Sequence, residues 1–179
     1  MTPSRPQAKP MYLYVNSTGC TRADGEAVAF ETEGMAVYDT MRYVPNEVRT
    51  VGVGVAIGQA AMLLSAGTPG HRYMLPHASA MLHQARVPPT GQRQAVEVEL
   101  KWKEVLAEKE AFLEIMSRTT GQDAAKIDAD TRRPLYMTPR DAKEYGLIDH
   151  VVAYQSEAEL VGAVKKAEQY DKDAGLVRR

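Results

Sequence analysis

Four histidines, one cysteine and a glycine-rich strand–helix junction are the first places to look for chemistry in these 179 residues. His83 follows the apolar run "ASAML", a place where a sheet edge can present a general base. The commoner reading of such a residue is a polar side chain that closes a strand. His71, His77 and His150 stand beside turns or strand ends, and none has a His or Glu one helical turn away. A metal site is therefore not expected, nor any other cofactor. "GVGVAIG" spaces its glycines as GxGxxxG, not GxGxxG, and no acid follows at ribose distance, which argues against a dinucleotide site.

The stretch "VGVGVAIGQAAMLLSAG", residues 51–67, has the outline of a nucleophile elbow. An apolar strand meets a small-residue turn and then an apolar helix, the device that lifts one side chain into an active site. Yet from Val55 to Gly58 there is no serine, cysteine or acid. Ser65, in the last turn of the helix, is expected to bond back to its own backbone. The frame of a catalyst is present without an attacking atom.

The elements that must position these residues read as an alternation. "MYLYVN" (11–16) and "EVRTVGVGV" (47–55) are buried strands. "ETEGMAVYDTMRYV" (31–44) places Met35, Tyr38, Met41 and Arg42 at helical spacing before Pro45. "IGQAAMLLSAG" is a short helix, and "HRYMLP" and "ASAMLHQ" are two further strands. This order implies an α/β domain with a mainly parallel sheet and crossover helices. From Gly91 to Gly121 about thirty residues run almost without a breaker, well beyond the globular mean of ~11–12. Val98, Trp102, Val105, Phe112 and Met116 recur there at steps of three and four between Glu and Lys. A helix this long is expected to protrude, with its apolar stripe covered by something else. Beyond it come a short helix over 123–131, another with Thr138 as N-cap and Pro139 at N1, and a last strand "LIDHVV".

Composition narrows the function classes. A net charge of −1 gives no basic field for nucleic acid or an anionic membrane surface. One cysteine, Cys20, excludes an internal disulfide and a multi-cysteine zinc site. Apolar runs break well short of the ~18 residues of a spanning helix, so membrane insertion is not expected. Residues 1–10 read as a polar, Pro-rich linker or truncated edge, and 154–179 as a charged, helix-prone extension.

With order and motifs in place, residues 11 to about 153 resemble the ClpP family of self-compartmentalising serine proteases. The resemblance rests on "YLYVNS", "GMAVYDTM", "LLSAG", "MLHQ", "TGQ" and "EYGLIDHVV". It implies a ClpP/crotonase-like βαβ wedge that assembles into seven-membered rings, two of which stack through a strand-plus-helix handle. Here that handle would be about 85–121. Val98, Trp102, Val105 and Phe112 are its expected oligomerisation residues.

The family's triad can be followed onto this chain. Its base falls on His83. Its nucleophilic serine falls on Gly58 when the chain is anchored on "EVRTV" and "LLSAG"; matching "GQAA" locally puts Met62 there instead. Its aspartate falls on Pro134. The family's "NSPGG" loop, which supplies an oxyanion donor, reads "NSTGC" followed by about nine extra residues, "TRADGEAVA". Together these departures are similar to ClpR, the non-catalytic branch of plastids and cyanobacteria. That likeness implies ClpP and other ClpR subunits as ring partners, an AAA+ ClpC-type unfoldase, and the plastid stroma or cyanobacterial cytoplasm. Family members carry an axial loop and a first helix before "YLYVNS", where this chain has only about ten residues. The alternative on the same wedge is a crotonase-like acyl-CoA enzyme. No acid in the elbow and no basic loop for CoA phosphates speak for it, and the long helix would have no use there.

Overall fold

In the computed structural model, residues 9–20, 31–84 and 94–152 are described. The elements are β1 (Met11–Ser17), α1 (Glu31–Tyr43), β2 (Val48–Ile57), α2 (Gln59–Ser65), β3 (Arg72–Met74) and β4 (Ser79–Leu82), followed by α3 (Ala95–Thr120), α4 (Ala124–Thr131), β5 (Leu135–Met137), α5 (Pro139–Tyr145) and β6 (His150–Val151). The expected strand–helix alternation is there. The expected linker at 1–8, the insertion at 21–29, the handle strand over 85–93 and the extension from 154 lie outside the described residues.

β2 organises the sheet. It runs parallel to β1 along Val48–Gly52, to β3 through Thr50–Gly52 and to β4 through Val55–Ile57. β6 lies parallel to β3. Parallel strands need crossovers, and α1 and α2 supply them. β5 was not foreseen: it pairs antiparallel with β4, from Ala80↔Met137 to Leu82↔Leu135.

α2 sits in the middle of the core, with Ala60, Ala61, Met62, Leu64 and Ser65 all buried. Ser65 behaves as its position suggested, its hydroxyl donating to the Met62 carbonyl at 2.8 Å. A second anchor is polar. The Arg72 guanidinium donates to both Asp149 carboxylate oxygens and to the carbonyls of Ser65, Thr119 and Gly146. One ion pair thereby ties β3 to the ends of α2, α3 and α5. Burial alone would push the Asp149 carboxyl up, but hydrogen bonds and charge from Arg72 outweigh it and hold it below its ordinary value. At α5 the expected cap forms: Thr138 Oγ1 accepts from the Asp141 N–H, the Asp141 carboxylate accepts from the Thr138 N–H, and Pro139 occupies the first turn.

The long helix needs a correction. One stripe from Val98 to Phe112, wet in a lone subunit, was expected. Phe112 is instead only 8% exposed and packs in the domain's own core with Ile115 and Met116, while Val98 and Trp102 are 55% and 60% exposed. Val105 is half-buried between them. At ~1.5 Å per residue the helix outruns the face it rests on. Its C-terminal half is pinned by Phe112 and by the Lys109–Asp128 ion pair at 2.5 Å, and its N-terminal half projects.

Candidate active site

The strand–helix junction has the geometry its sequence promised. β2 ends at Ile57, α2 starts at Gln59, and Gly58 between them has φ 58° and ψ −116°. An L side chain tolerates that backbone poorly, and functional turns are where such strain is retained. The Gly58 N–H donates to the Met81 carbonyl at 2.8 Å, which fixes the turn against β4.

His83 follows β4 and faces this turn. Its Nε2 lies 2.8 Å from the point a Cβ on Gly58 would occupy. Gly58 therefore occupies the place next to the imidazole from which a nucleophile would act. Met62, the other candidate position, lies a turn into α2 and is fully buried. Pro134 comes to the same end of β4. Leu82 pairs with Leu135, so Pro134, the residue before β5, lies toward the end of β4 that His83 follows.

The hydrogen bonds of the imidazole are telling. His83 Nδ1 is 2.7 Å from the carbonyl of Gln84. A carbonyl only accepts, so Nδ1 carries the proton, and its partner is a neutral amide rather than a carboxylate. Nε2 is buried and has no hydrogen-bond partner among the described residues, with His83 8% exposed. The cleft beside it has about 20 Å³ of free space, bordered by Gly58, Gln84, Lys109, Phe112 and Thr131. That holds about one water. Glu108 lines this cleft, and Asp128 beside it accepts from Gln84 at 3.5 Å and is engaged by Lys109 and Arg132. Hydrogen bonding from Lys109, then from Arg132, holds its carboxyl below the usual range. It accepts from these cations, not from His83. Gln84, Asp128 and Lys109 were not singled out from sequence; no motif marks residues that meet only when α3 and α4 pack beside β4.

The loop after β1 comes close as well. β1 bulges between Val15 and Ser17, and the Asn16 side chain accepts from the Val55 N–H at 3.2 Å. Gly19, at φ +71°, is pressed against the Ile57 carbonyl, and its N–H donates to Ser17 Oγ at 3.1 Å. Cys20 lines a separate hollow of about 330 Å³ with Gly19, Glu33 and Ala60, not the His83 cleft. The remaining histidines are elsewhere: His150 stacks on Tyr73, and His71 Nδ1 is 3.3 Å from the Tyr73 hydroxyl. Among the described residues no three His, Cys, Asp or Glu side chains are grouped to hold a metal ion, and no helix is long and apolar enough to cross a membrane.

Comparison with known proteins gives the same direction. The Clp protease family model matches residues 3–155. The chain is 45% identical over 168 residues to the chloroplastic ATP-dependent Clp protease proteolytic subunit-related protein 3 of Arabidopsis thaliana, covering 94% of this chain and 51% of that one. It is 51% identical over 144 residues to an ATP-dependent Clp protease proteolytic subunit-like protein of Synechococcus elongatus, covering 80% and 62%. Against ATP-dependent Clp protease proteolytic subunit 2 of Prochlorococcus marinus, identity is 43% over 155 residues, covering 87% and 72%. The chain thus spans about half to two thirds of the first two relatives. By its matched span, its mixed α/β wedge and its elbow, the chain belongs to the Clp protease family.

Proposed function

We propose that this chain is a non-catalytic, ClpR-type subunit of an ATP-dependent Clp protease core, filling a ring position without cutting peptide bonds. The observation that carries the reading is Gly58, a glycine in the strained elbow, against His83. A serine protease needs a hydroxyl for the base to deprotonate and an acid to orient the base. Here the elbow offers a hydrogen atom, and His83 Nδ1 rests on a backbone carbonyl. Pro134, which we align with the family's aspartate, can supply no charge. The family match leaves the crotonase alternative without support.

Assembly is the second half of the proposal. The projecting part of α3 exposes Val98, Trp102 and Leu106 on one side and Val96 and Leu100 on another. Such a rod gains from being held between neighbours. We read 85–121 as the handle, with ClpP-type and other ClpR-type subunits forming stacked seven-membered rings served by a ClpC-type AAA+ unfoldase. The chloroplastic and cyanobacterial relatives favour a plastid or cyanobacterial setting, within which we place the chain in the stroma or the cytoplasm. We read residues 154–179 as a charged C-terminal extension.

Co-expression with a catalytic ClpP-type subunit tests both halves. Native mass spectrometry should find this chain inside mixed double rings, with serine-directed probe attached only to the catalytic subunit. A chain that stays outside every ring, or that carries probe itself, contradicts the proposal.

A further inference from the structure

Away from the His83 cleft, a pocket of about 200 Å³ opens where the C-terminal ends of α1, α2 and α3 converge. It is lined among others by Tyr38, Arg42, Ser65, Arg72, Arg118 and Thr119. Among the described residues no carboxylate lines it. The three arginines differ in what they are committed to. Arg72 is neutralised by Asp149 and spends its remaining donors on backbone carbonyls. Among the described residues the Arg118 guanidinium meets only the Tyr38 side chain, with Nη2 donating to the hydroxyl and the guanidinium carbon 5.8 Å from the ring centre. Arg42, one turn after Tyr38 on α1, has no hydrogen-bond or ion-pair partner among the described residues, and neither does Arg118 have an acidic one. Asp39 on α1 and Glu114 on α3 are the nearest acids along those helices, and both leave the arginines unpaired.

We infer that this pocket binds an oxyanion of phosphoryl type between Arg42 and Arg118. Two planar guanidinium forks with uncommitted N–H groups suit the oxygens of a phosphate, and the Tyr38 hydroxyl proton remains free to donate as well. Size sets the ligand class: pockets for drug-sized ligands run to ~300–1,000 Å³, so this one takes a phosphoryl group rather than a whole nucleotide. The helix ends oppose an anion, each with roughly half a negative charge. Two unneutralised arginines exceed what they need. The inference stands apart from the loss of catalysis and uses none of the same residues.

The competing account is that Arg42 and Arg118 merely offset the helix ends. Calorimetric titration and thermal melts of the full chain in a phosphate-free buffer at fixed ionic strength separate the two. The probes are inorganic phosphate, linear triphosphate and sodium chloride. Phosphate should bind saturably and raise the melting temperature, while chloride should not. Arg42→Gln, at an exposed position, should weaken phosphate binding about tenfold or more and leave the fold intact, with Arg42→Lys in between. Arg118→Gln should do the same. Tighter binding of triphosphate than of phosphate identifies a phosphoryl end on a larger molecule as the ligand; equal binding identifies free phosphate. A wild-type response that chloride reproduces overturns the proposal, as does undiminished phosphate binding by Arg42→Gln.

Discussion

The Nε2 of His83 lies 2.8 Å from where a Cβ on Gly58 would stand. Real Cβ atoms essentially never come that close to another heavy atom. The imidazole thus occupies part of the space that a side chain on the elbow would need.

Gly58→Ser alone should therefore not produce a working protease. The new Cβ forces the ring of His83 aside, and no acid orients it at Pro134. Incomplete triads lose roughly 10⁴-fold in turnover, so peptide hydrolysis should stay orders of magnitude below that of a catalytic paralogue. Turnover in the single variant near that of the paralogue would refute the geometric account. Gly58→Ala should also cost about 1–3 kcal/mol, as a side chain held at φ 58° and ψ −116° does, measurable by urea denaturation.

The two halves of α3 should respond differently to the same insult. Phe112→Glu puts a charge in the domain core, so the subunit should lose about 3 kcal/mol or more and melt early. Trp102→Glu lies on the projecting half, so circular dichroism should stay native while mixed double rings fail to form. Intact double rings with Trp102→Glu would remove the interface assignment; a native melt with Phe112→Glu would remove the core assignment.

The Arg72–Asp149 pair predicts a pH dependence. Asp149 sits below its ordinary pKa in the folded chain, so its unfolded form binds the proton more readily. The pair's contribution is complete above the unfolded value of about 3.9 and is lost as pH falls through the lower folded value. Asp149→Asn should cost about 3–5 kcal/mol at neutral pH, because it strands a buried guanidinium. The gap between wild type and variant should narrow in denaturation series below pH 4. A gap that stays constant down to acid would show that the pair is not what the pH acts on.

Much of this was legible in the sequence because the signals are local. The strand–glycine–helix run at 51–67, the Thr138 cap and the Ser65 back-bond each depend on a few neighbouring residues. β5 was missed because three residues after a proline carry no periodicity; it is a strand only because β4 lies beside it. The division of the α3 stripe was missed for a similar reason. Trp102 and Phe112 share a helical face, and only the position of the domain decides which one is dry. The partner of His83 Nδ1 was equally invisible, since a backbone carbonyl leaves no mark in a residue pattern.

The account's central claim is that no residue of this chain attacks a peptide carbonyl. Its most direct measurement is intact-mass analysis of the purified chain after exposure to a fluorophosphonate, alongside a catalytic ClpP-type subunit treated identically. The account predicts a full adduct on the catalytic subunit and unchanged mass for this chain, Ser65 included. A stoichiometric adduct on any serine of this chain would contradict it.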